Sequence, residues 1–258
     1  MLDVHPPHES AHTWRSFFIH IATIVIGLII AVGLEQIVEH IHHRHQRAQL
    51  EEQMHDVFGF DQGVLVQSID NQATFRDYLV ELRAAIVAIR AGKKGVAQPP
   101  ADDPRMRLFG GAPSFAPYEA AKENGTIALL PAEEIRLFNR IVFQRELYDT
   151  ERDHWLWSLV DLSAFHERFV DSPGLMQFSQ IVTAPDLASL SPAELSEYLA
   201  LVATVIKKTD ALMSREKLIY VIVTAVLGGV HGEEALIDMI KQKSSSGFEV
   251  PHTPPALK

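Results

Sequence analysis

Apolar residues run almost without interruption from Phe17 to Val38, in FFIHIATIVIGLIIAVGLEQIV, and from Leu50 onward they return only every three or four positions. Within the first run, up to Leu34, His20 is the one residue that clearly resists hydrocarbon. About 20 mostly apolar residues, each rising about 1.5 Å, cross a hydrocarbon layer about 30 Å thick. The run therefore predicts a transmembrane helix over 17–38. The preceding MLDVHPPHESAHTWR carries one Arg and two acids, and no small-x-small pattern follows the run. A cleaved signal peptide needs a basic start and such a site, so the segment reads as a retained anchor. Trp14 and Arg15 stand where an interfacial aromatic and a snorkelling cation belong. Arg44 and Arg47, with His42, His43 and His45, mark the other interface.

The second pattern is helical. Leu50, Met54, Val57, Val64, Ile69, Phe75, Leu79, Leu82, Ile86 and Ile89 line one stripe of a long amphipathic helix. It continues the span outward and stops near Gly92, with Gly59 and Gly63 as places to bend. Residues 93–117, rich in Gly and Pro, read as loop. A short helix over 114–124 ends at Gly125, a residue suited to a left-handed C-terminal position. A second long helix starts with Pro131 as its first helical residue, with Glu133 and Glu134 at the positive end of its dipole. It runs to Val170, before Ser172-Pro173-Gly174. Ser191 and Glu194 form a capping box that opens a third long helix. The apolar run 218–230 is too short to span and reads as buried core. A final helix, 233–243, precedes the tail.

No strand alternation or hairpin dipeptide interrupts these patterns. The fold class is all-α: a transmembrane helix continuing into a long helix, packed in an antiparallel bundle. The predicted organisation is a leader at 1–16, the span at 17–38, a helical soluble domain at 39–243 and a disordered tail at 244–258. Composition agrees with one span and one domain. The chain has 258 residues, of which 47% are hydrophobic, and a net charge of -10. Phosphate binding needs clustered Lys and Arg, so a nucleic-acid partner is not expected. With no Cys, disulfides, thiolate nucleophiles and Cys-based zinc sites drop out.

Two segments carry a resemblance. Gly27 to Leu34 within the span, and Tyr118 to Gly125 ahead of PAEEIRLFNRIV, look like the motifs of a bacterial family of unknown function. Its members have a single N-terminal span with a Gly-Leu-Leu-Ile-Ala-Leu type motif, then a Tyr-Glu-x-Leu-x-x-x-Gly segment before a helix. The resemblance covers about the first 150 residues. It implies an inner-membrane protein with a short inner N-terminus and an exported, periplasmic domain. The family has no established activity, so no catalytic residue is carried over.

Candidate sites remain. Thirteen histidines are many for this length. His40 and His43, three apart on one helical face with Glu39 near, could hold a divalent metal such as Zn²⁺ through neutral imidazole. The alternative is an interfacial cluster whose charge follows pH. His5, His8 and His12 form a second, looser group. Glu35 ends the span, where a carboxylate is costly. Gly27 and Ala31 make a small-xxx-small pair that lets two helices approach. Gly27, Ala31 and Glu35 are thus the expected oligomer interface. Arg145, Arg152 and His166 fall near the apolar stripe of the second long helix and form a candidate anion pocket, unless nearby acids neutralise them. There is no Gly-rich phosphate loop, His-Glu-x-x-His or Gly-x-Ser-x-Gly. The expected function is a membrane-anchored interaction, scaffold or sensor-like module without catalysis. Its expected partners are the bilayer, a second copy and a further protein. A membrane-tethered metal enzyme using a His/Glu site is the alternative.

Overall fold

The computed structural model describes residues 14–100, 103–106, 113–169, 184–230 and 232–246. Among them every regular element is a helix, as the periodicities predict. The α-helices are α1 (Trp14–Arg90), α2 (Ala116–Asn124), α3 (Ala132–Glu167), α4 (Pro192–Leu227) and α5 (Glu233–Ser246). The leader histidines, the predicted stop at 172–174 and the tail beyond Ser246 lie outside the described residues. The chain divides into two compact units, 1–49 and 50–258, described in turn.

In the first unit, α1 carries its apolar residues on all sides, and those from Phe17 to Ile41 are exposed. It is the one described helix long and apolar enough to cross a membrane. Trp14, Phe17 and Phe18 gather at its start, with ring centroids 5.8–6.0 Å apart. The Thr23 hydroxyl donates to the Ile19 carbonyl at 2.9 Å, which satisfies it within the apolar run.

In the second unit, Leu50 is the first buried residue of α1. The helix stays regular through Gly59 and Gly63, so neither breaks it. It ends at Arg90, and Gly92 follows with φ +78°, a left-handed conformation that glycine adopts without a Cβ clash. The buried face runs through Leu50, Met54, Phe58, Asp61, Leu65 and Ile69. Phe58 and Asp61 are buried where the stripe predicted Val57 and Val64, both half-buried. Tyr78, Tyr198, Phe58 and Phe75 are the largest fully buried side chains, each worth about 1.5–3 kcal/mol of burial.

Contacts along the helices fix their directions. On α1 and α4, Gln62 meets Thr224, Ser68 meets Glu216 and Arg76 meets Asp210, so these helices are antiparallel. Between α3 and α4, Gln144 meets Arg215 and His166 meets Tyr198, again antiparallel. Between α1 and α3, however, Phe58 packs on Phe138 and Phe75 on Trp155. These two run parallel, with α4 antiparallel to both. The connection after α1 explains this. Gln98 lies near Ala84 and Ala85, Arg105 pairs with Glu81, and the Ser114 amide reaches Asp61. The chain thus returns along α1 to the end where α3 begins. The short helix α2 stops at Gly125, whose φ is +82°. Pro131 is extended, with φ -57° and ψ 145°, so α3 begins at Ala132, one residue later than predicted. The capping box at Ser191 is present in full. The 218–230 run is core, with Ile219 to Val223 buried. α5 packs on α3 and α4 and extends three residues past its predicted end.

Candidate functional site

The predicted site residues fall in four places. His40 and His43 are exposed on α1, with His43 Nε2 3.9 Å from Glu39 Oε1. Among the described residues no group of three or more His, Cys, Asp or Glu gathers as a metal cage would. Gly27, Ala31 and Glu35 are exposed and four residues apart, hence on one face, and a Cβ placed on Gly27 would meet nothing within 4 Å. Arg145 and Arg152 converge on Asp149, at 2.8 Å and 3.6 Å. Arg145 also donates to the Pro113 carbonyl and lies over the Phe115 ring. His166, fourteen residues beyond Arg152, lies about 21 Å farther along the helix at 1.5 Å per residue. It is fully buried and hydrogen-bonded to the Tyr198 hydroxyl at 2.8 Å. The three do not form one anion pocket: an acid takes both arginines, and the histidine belongs to a separate aromatic contact.

The strongest polar cluster is one the sequence reading did not single out. Glu216, on α4, has no exposed surface. Its Oε1 accepts from Ser68 Oγ at 2.8 Å and from Gln72 Nε2 at 2.9 Å, both on α1. Gln72 also donates to Ser68 Oγ at 3.3 Å. Tyr148 of α3 favours the charged form of the same carboxyl, while Oε2 has no hydrogen-bond partner. Three helices thus meet at one acid. Burial pushes its pKa up to about 7, against the opposing pull of Ser68, Gln72 and Tyr148, because a carboxylate out of water disfavours its charge. In sequence the signal was present: Glu216 lies in the stripe Leu212, Glu216, Ile219, Val223, an acid at a core position.

Asp61 is the second buried acid. Both its oxygens accept from the Ser114 amide, at 2.9 and 3.0 Å. Burial raises its pKa to about 6, while the Ser114 hydrogen bond and the Arg145 charge pull it down. It too sits in an apolar stripe, between Phe58 and Leu65. With Arg145 on Pro113, it fastens the returning loop to the bundle. A surface depression of about 460 Å³ lies farther along, between Glu81, Ala85, Val96 and Pro99.

The buried groups are held by one another, and they can take up or release protons without presenting a nucleophile to solvent. Fold and site together define an all-α bundle with a polar junction, preceded by a helix able to span a membrane by length and composition. Comparison of the chain with protein-family models, curated proteins and solved structures finds no match.

Proposed function

We propose that this chain is a single-pass bacterial inner-membrane protein whose helical domain works by contact, as an interaction, scaffold or sensor-like module. The observation that carries this reading is the contrast between the two units. In the first, apolar side chains from Phe17 to Ile41 stay exposed, where water would oppose them and lipid would not. In the second, the strongest polar groups are turned inward and bind one another. The domain is placed on the periplasmic side, following the resemblance at Gly27 to Leu34 and Tyr118 to Gly125. A reporter that fluoresces only in the cytoplasm, fused after Lys258, tests this: dark cells with intact fusion protein are expected, and bright cells reverse the orientation.

The module self-associates, as a dimer, through Gly27, Ala31 and Glu35, because small residues let helices pack closely in lipid. Single cysteines at Gly27, Ala31 and Ile29 check the face by crosslinking in membranes. Strong signals at the first two and a weak one at Ile29 are expected; equal signals sink the interface. The second reading, a metal-dependent enzyme, draws on the approach of His43 to Glu39. Metal analysis of the purified protein decides it: stoichiometric zinc or iron, lost on mutating His40 and His43, would replace the contact reading.

A further inference from the structure

We propose that the Glu216 carboxyl is a proton-operated latch at the junction of α1, α3 and α4, closed when the acid is neutral and loosened when it ionises. This goes beyond the contact reading, because it names an input and does not depend on the anchor. The geometry carries it. Glu216 has no exposed surface, and the side chains hydrogen-bonded to it, Ser68 and Gln72, are neutral. From α3 it faces Tyr148, with Asp149 and Arg152 beside that phenol. Arg152 pairs with Asp149, which also takes Arg145. On α4 itself Arg215 turns to Gln144, and on α1 Arg76 is held by Asp210. Arg145, Arg215 and Arg76 are thus committed elsewhere, and Arg152 is held loosely by Asp149 with its Nε unpartnered. Among the described residues no cation is paired with Glu216, and a charge there would stand buried without a direct counter-ion.

The neutral acid fits the cluster better. Glu216 Oε2 and Gln72 Oε1 are both buried and accept from no hydrogen-bonded donor, and protonation of the carboxyl removes its charge and adds a donor to the cluster. Ionisation removes that donor and leaves charge inside the junction. Burial sets this exchange near neutral pH, where a modest acidification changes its state. Since side chains of three helices meet at one carboxyl, a single proton is felt by all three.

The test uses the full chain in lipid nanodiscs. Hydrogen exchange is followed for peptides covering 64–76 and 208–220 from about pH 5.5 to about 8.5, corrected for intrinsic exchange. Protection is expected to fall about tenfold or more as pH rises through neutrality. Glu216→Gln should keep the low-pH protection throughout, while Asp61→Asn should retain the wild-type midpoint. An unchanged profile in Glu216→Gln would assign the effect to other groups and overturn the latch. Flat protection in the wild type would overturn it as well. Should Glu216→Gln not fold, infrared spectra of Asp61→Asn decide. A buried protonated-carboxyl band lost between about pH 6 and 8 supports the latch, and its absence refutes it.

Discussion

Asp61 and Glu216 are both buried acids, yet their neighbours treat them differently. Asp61 has the Ser114 amide on its oxygens and the Arg145 charge near, and its pKa rises only to about 6. Glu216 has neutral donors alone and reaches about 7. In both, the folded state holds the proton more tightly than the unfolded chain does. Stability is therefore greatest below the unfolded values of 3.8 and 4.5 and falls as pH rises through the folded ones. Glu216→Gln is expected to flatten the decline between pH 4.5 and about 7 and to stabilise the fold at about pH 8 by about 1–3 kcal/mol. Denaturant titrations at both ends of the range check it. Asp61→Asn should act in the same direction but more weakly, because it also gives up the attraction of Arg145. The sequence held both acids in plain view, at core positions of apolar stripes. Reading stripes by their apolar members passed over them and favoured Arg145, Arg152 and His166, whose charge or ring is more conspicuous. Neutralisation of the arginines by nearby acids was open from the sequence, and the fold selects Asp149 for both.

At the scale of elements, three helix ends were legible because each has a local chemical cause: the close of α1, the close of α2 and the start of α4. Gly92 and Gly125 adopt positive φ, and Ser191 with Glu194 caps α4. These causes give two predictions. Gly125→Ala meets open space but a left-handed backbone, so it should cost about 1–2 kcal/mol through strain alone, measurable as a lower melting temperature. Ser191→Ala removes the acceptor of the Glu194 amide and should cost about 1 kcal/mol. What periodicity could not reveal is direction. A stripe shows which face of a helix is buried, not whether its neighbour runs up or down. The parallel pairing of α1 with α3 depends on the path of residues 91–131, where Arg105 and Ser114 each find partners far back on α1. Gly and Pro identify 93–117 as loop without saying where it goes.

For the whole molecule, the end of the apolar run at residue 38 and the onset of burial at Leu50 rest on different physics. The first is where hydrocarbon-compatible residues cease; the second is where α1 first becomes buried within a protein core. Full-length protein is expected to sediment with membranes through high-salt and alkaline washes and to leave them only in detergent, since a span of about 20 apolar residues is not held by charge. Release by salt would mean that the exposed apolar run does not enter lipid. The pairing of the first long helix with the third also governs how the protein is made. Ser68 contacts a residue 148 positions later, so α1 has no α4 to pack against until most of the chain has left the ribosome. At roughly 5–20 residues per second, that wait lasts about 7–30 s. Over the first part of that wait α3 becomes available, and Phe138 and Trp155 can reach Phe58 and Phe75, whereas the face of α1 that meets α4, at Gln62, Ser68 and Arg76, is the last to be covered.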